Sequence, residues 1–148
     1  MKQASDDKIC LYLKFFSKLR RDYKFGGAPH KPILLLAVIN LIKKRVIINN
    51  NIEISPELVL EFKEIWTKLV DTPHTANFAL PFYHLKSEPF WKLITKNCTE
   101  IPTTSSNSIK SLNALQESIR HDALDCLLYF ELFKNKTLYS HILSILLF

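Results

Sequence analysis

The sequence predicts a mainly α-helical chain with a small β-hairpin or sheet, folded as a single compact helical domain over residues 1–148. Three observations predict it. Residues 33–42 are apolar on every side apart from Asn40, and an all-round apolar helix is one buried on all sides. Two further stretches carry apolar residues at helical spacing behind recognisable start signals. The runs that favour strands are few and short. With 47% hydrophobic and 23% charged residues, the chain has the composition of a folded protein with an ordinary core.

Asp6 or Asp7 caps a first helix expected to run to about Tyr23. Ile9, Leu13, Phe16 and Leu19 fall on one face with Tyr12 beside them, and Lys14, Lys18, Arg20 and Arg21 lie outward or at the last turn. Gly26-Gly27, the chain's two glycines, end this unit where the backbone needs unusual freedom. Pro29 and Pro32 then fix φ, and Pro32 suits the first turn of the buried helix. At about 1.5 Å per residue that helix covers half of a bilayer core, so it is a core helix and not a membrane span. Lys43-Lys44-Arg45 closes it.

Val46-Ile47-Ile48 and Ile52-Glu53-Ile54, split by three asparagines, predict a hairpin. Ser55-Pro56-Glu57 is a helix start with a capping hydroxyl, a first-turn proline and an acid at the positive end. Leu58, Phe62, Ile65, Trp66 and Leu69 form its apolar stripe, to pack on the buried helix, and Asp71-Thr72-Pro73 stops it. Five aromatics then fall between residues 78 and 91, a stretch broken by Pro81, where an exposed kink or edge is expected. Lys86-Ser87-Glu88-Pro89 is a turn, and residues 90–94 predict a short strand. Residues 99–108 form a polar loop, and the chain is helical again from Ser111, with a break at Asn135-Lys136.

The net charge of +6 and a pI of about 9.2 make an anionic partner plausible, nucleic acid first. Cys10, Cys98 and Cys126 are odd in number and far apart, which suggests free thiols, and each has an apolar context that suggests inert packing. The N-terminus lacks an apolar secretory core, so a cytoplasmic location is expected. No catalytic constellation, phosphate-cradling glycine loop or metal-ligand spacing occurs, and neither metal nor cofactor is expected. Asp122 and Asp125, one helical turn apart, read as a solvated face.

Two features stand out. His30-Lys31 beside the glycines is either a charged helix start exposed to water or an anion site built from a cation, an imidazole and backbone N–H groups. A lysine there opposes the helix dipole, so its placement needs a reason. Leu80-Pro81-Phe82-Tyr83-His84 is either a core loop with one polar histidine or a rigid apolar rim on Pro81.

Ala28-Pro29-His30-Lys31-Pro32 with its apolar run, Ser55-Pro56-Glu57-Leu58 leading to Phe62 and Trp66, and Pro81-Phe82-Tyr83-His84-Leu85 with Phe90-Trp91 together resemble the sulphur-binding domain. This is the N-terminal domain of modification-dependent HNH-type restriction endonucleases. It recognises DNA in which sulphur replaces a non-bridging phosphate oxygen. The resemblance covers the chain from about Lys8 to its end, and it rests on the order and spacing of the motifs. It implies that Pro81 packs its ring on the sulphur and that Leu80 and His84 line the pocket. His30 and Lys31 correspond to the basic pair that contacts the modified phosphate and a base edge, and Tyr83 supports the wall or touches the backbone. The chain departs from the family pattern at three positions: Leu80 replaces an aromatic, Lys31 replaces an arginine and so loses the planar fork, and His84 replaces a small residue.

Sulphur is larger and softer than oxygen and accepts hydrogen bonds poorly. A pocket that prefers it should be apolar at the sulphur, with a cation near the remaining charge. Such a pocket needs Lys31 and Pro81 on one side of the molecule and the proline ring open to water. The resemblance thus implies a reader of phosphorothioated double-stranded DNA that delivers a fused or associated HNH nuclease in restriction of foreign DNA. No HNH pattern occurs in the chain itself, so it is expected to bind and not cut. Lys14, Lys18, Arg20, Arg21, Lys43, Lys44, Arg45 and Lys86 are candidates for ordinary phosphate contacts. The alternatives are a general or methyl-dependent DNA-binding module and a protein-interaction domain.

Overall fold

Helix α1 (Lys2–Ser17) lays Tyr12 and Phe16, four residues apart, into the core, and Leu19 follows them just past its end. The computed structural model describes residues 2–19, 29–71, 73–96, 111–125, 128, 129, 132, 140, 142 and 144. The helix begins before Asp6 and Asp7, which therefore lie within it rather than capping it, and it ends at Ser17 rather than near Tyr23. Arg20, Arg21 and the two glycines lie outside the described residues, as does the side chain of Ile9. Leu13 is half-buried, and Cys10, expected to be packed, is exposed. Phe16 meets Phe90 edge-on at 4.9 Å, and the Tyr12 hydroxyl donates to Asp125 Oδ1 at 2.6 Å.

Helix α2 (His30–Lys43) is the central element. It begins two residues before Pro32, with Pro29 at its N-cap, so His30 and Lys31 form its first turn. Residues 31–39, Leu41 and Ile42 are all buried. The helix closes with the Arg45 N–H on the Ile42 carbonyl and the Val46 N–H on the Leu41 carbonyl, a Schellman arrangement. That closure puts Arg45 at φ 61°, where glycine is favoured.

The predicted hairpin does not form. The N–H groups of Val46 and Ile47 both bond to the Leu41 carbonyl in closing α2, and Val46 and Ile48 stay exposed, at 48% and 74%. Asn49 accepts from the Asn51 N–H, which turns the chain into a strand of only two residues, β1 (Asn51–Ile52). Its partner is distant in sequence. In α3 (Pro56–Leu69) the Ser55 hydroxyl accepts from the Leu58 N–H at 3.1 Å, as the capping signal requires. Leu58, Phe62, Ile65 and Trp66 pack this helix on α2. Leu69, expected in that stripe, is 48% exposed because the last turn runs past the core, and half-buried Val70 takes over the packing.

Pro81 does not break its stretch. It occupies the first turn of a short helix, α4 (Ala79–His84), where no N–H is needed, and a 3-10 turn over Leu85–Ser87 follows. Phe62, Phe78, Phe82 and Trp91 then form a chain of ring contacts with centroids 5.4–5.8 Å apart.

Strand β2 (Trp91–Thr95) lies within one residue of its expected place. Beyond Ser111, helix α5 (Leu112–Ser118) is followed not by more helix but by β3 (Ile119–Leu124), the middle strand of an antiparallel sheet ordered β1-β3-β2. Ile119, Asp122 and Leu124 are its buried residues. Asp122 and Asp125 are therefore not on a solvated helix face: Asp122 is fully buried and accepts from the Trp91 indole, and Asp125 holds Tyr12. Leu128, Tyr129, Leu132 and Ile142 are helical and buried beyond the sheet, and residues 135 and 136 lie outside the described residues. The architecture is mainly α with a small sheet. Among the described residues, no helix is long and apolar enough to cross a membrane.

Candidate nucleic-acid interface

The N-terminal turn of α2 abuts α4 and the 3-10 turn. Lys31, buried to 7% exposure, extends its ammonium to Glu88 Oε1 at 3.1 Å and to the Ser87 hydroxyl at 3.2 Å. The Ser87 hydroxyl donates in turn to the His84 carbonyl at 3.0 Å, and Glu88 is itself buried at 8%. A lysine at the positive end of a helix needs a counter-charge, and Glu88 provides it.

His84 is half-buried beside this pair. Burial pushes its imidazole below the ordinary histidine value, and the nearby charges of Lys31 and then Lys86 push it further. It is therefore a neutral group at pH 7. Leu80, Pro81 and His84 lie within one turn of each other on α4; residues 80 and 84 share a face, as do 81 and 84. Lys31 and His84 thus come near each other at the junction of α2 and α4, with Leu80 and Pro81 on the same short helix as His84. Leu80 is half-buried, but Pro81 is buried, not the open rim expected of it. Within α4 the proline is buried instead of kinked outward.

Tyr83 is buried at 3% with its ring against His84, centroids 5.1 Å apart, so it supports the wall from inside. Its hydroxyl accepts from exposed Lys86 at 2.7 Å, and that ammonium lies 4.1 Å from the ring centroid.

His30 does not join Lys31. Its ring packs on Trp66 at 4.7 Å and lies 5.9 Å from His74. Its Nε2 donates to the Thr75 carbonyl at 2.8 Å, which fixes the proton on that nitrogen. Burial lowers its pKa first, the Thr75 carbonyl opposes this, and His74 lowers it again. One helical step separates the two residues: His30 ties α2 to α3 and the loop beyond it, while Lys31 faces the 3-10 turn. The expected basic pair is thus one neutral imidazole and one lysine already bound to a carboxylate.

Lys14, Lys18, Lys43, Lys44, Arg45 and Lys86 are exposed, and Lys44 reaches Glu61 Oε2 at 3.5 Å. Sequence alone did not single out Ser87 and Glu88. They read as a turn, and the lysine they bind is 56 and 57 residues upstream.

The chain matches no protein-family model and no curated protein. Among solved structures, its fold is similar to that of the sulfur binding domain and SRA domain of ScoMcrA complexed with phosphorothioated DNA, with a TM-score of 0.63 and 18% identity over 88% of this chain. The chain spans 40% of the length of that one. At this identity the likeness is one of fold, and it is the fold of a protein solved with sulphur-bearing DNA in place.

Proposed function

We propose that this protein binds double-stranded DNA carrying a phosphorothioate, at the junction of α2 and α4. The observation that carries the proposal is the closeness of Lys31 to His84, which shares α4 with Leu80, in a fold similar to one solved with phosphorothioated DNA. The half-buried Leu80 and neutral His84 offer a low-charge wall to a soft atom, with Lys31 close by for the remaining charge. Pro81 is buried behind this wall, so the contact to sulphur falls to Leu80 and His84 and not to the proline ring. Tyr83 stiffens the wall, and Lys18, Arg20, Arg21 and Lys86 supply ordinary phosphate contacts. His30 acts through position, by holding the first turn of α2 against α3.

In this role the chain recognises and does not cut. Cleavage falls to a fused or associated HNH nuclease, in restriction of modified foreign DNA. The direct test is titration against two duplexes that differ by a single sulphur atom. Tighter binding of the sulphur form is expected. Equal affinity would leave a general basic DNA binder, and a preference for methylated bases would select a methyl-directed module instead.

A further inference from the structure

We propose that Glu88 sets the preference of this site for sulphur over oxygen, by cancelling the charge of Lys31 before any ligand arrives. The inference rests on the function proposed above and assigns a role within that site. Lys31 and Glu88 have side chains 8% exposed, and their 3.1 Å pair is removed from the solvent that would screen it. A buried pair of this kind is a poor source of stability, because desolvating two charges offsets most of their attraction. Glu88 is also fixed in place: its N–H bonds to the Leu85 carbonyl at 2.8 Å, and its own carbonyl accepts from Trp91 at 3.3 Å. The carboxylate is held at the end of the 3-10 turn and is not a side chain on a mobile loop.

The Lys31–Glu88 pair beside His84 therefore carries no net charge of its own, and Lys86 is the cation left on the exposed side. An ordinary phosphate entering the site gives up the hydration of a hard oxyanion, meets an ammonium already neutralised, and faces a carboxylate of its own sign. A phosphorothioate gives up less hydration at sulphur and regains part of the loss on the apolar wall. Glu88 thereby excludes the common anion more strongly than the rare one. Without it, the lysine would attract any phosphate.

The test measures both duplexes against wild type, Glu88→Gln and Glu88→Asp, with a thermal melt of each variant. E88Q is expected to bind the oxygen duplex at least tenfold tighter, to gain less on the sulphur duplex, and to steepen the salt dependence of oxygen-form binding by about 0.9. E88D, which keeps the charge, is expected to hold the sulphur-to-oxygen ratio within about threefold of wild type. Should E88Q not fold, K31Q and K31Q/E88Q are compared instead: removing the carboxylate from the K31Q background is expected to raise oxygen-duplex affinity more than sulphur-duplex affinity, and equal gains overturn the role of Glu88. A wild type that discriminates while E88Q keeps the same ratio overturns the role of Glu88 alone. A wild type that binds both duplexes equally overturns the phosphorothioate function itself.

Discussion

Lys31 is the residue on which structure and function both turn. Its ammonium lies 3.1 Å from the buried carboxylate of Glu88. Lys31→Ala is expected to cost about 3 kcal/mol in a denaturant titration, the scale of breaking a buried pair from one side. The same variant should weaken binding to both duplexes, the sulphur form most, when measured under conditions where it is folded. Asp122 poses the opposite problem. Burial pushes its carboxyl up to about 9, against an ordinary value of 3.8, and the Trp91 indole only partly opposes the shift. The folded state therefore favours the protonated acid. Its stability is greatest below the unfolded value and falls by about 1.4 kcal/mol per pH unit as pH rises towards the folded one. Asp122→Asn keeps an acceptor for Trp91 and removes this cost. Melting curves should show the variant gaining on wild type between pH 5 and pH 8, and parallel curves would refute the assignment.

At the scale of elements, the start of α3 and the buried run of α2 were the most legible parts of the chain. Ser55-Pro56-Glu57 announced α3 because a cap is a local device, complete within four residues. The apolar run of α2 was legible because only burial on all sides explains it. The sheet was not, because β3 pairs with partners that begin 68 and 28 residues earlier, and Ile119, Asp122 and Leu124 do not alternate cleanly. The asparagines of residues 49–51 read as a hairpin turn, whereas they start a strand whose partner is remote. Of the candidate site, Lys31 and the residues of α4 could be named from sequence. The carboxylate that compensates the lysine could not, since nothing local marks a pair 57 residues apart. The turn at Arg45 offers its own test. Arg45→Gly should stabilise the chain by about 1 kcal/mol, since glycine adopts positive φ without the Cβ penalty. On α4, Leu80→Ala, which removes the half-buried apolar face of the wall, is expected to leave oxygen-form binding within about twofold and to erase most of the preference for sulphur.

For the whole molecule, the excess of +6 charges sets how affinity responds to salt. The logarithm of the binding constant should fall with the logarithm of salt at about −0.9 per phosphate engaged. The sulphur-to-oxygen ratio should change far less across the same range, because both duplexes release the same counterions. A ratio that collapses with salt would place discrimination on the exposed lysines instead of at the α2–α4 junction.

The sheet takes its two outer strands from the first two-thirds of the chain and its inner strand from near residue 120. During synthesis, β1 and β2 therefore leave the ribosome with nothing between them to pair with. Tyr12 likewise waits for Asp125. The nascent polypeptide cannot acquire its native form piecemeal from the amino end, and a message cut short before the codon for Asp125 would yield a product for the proteases.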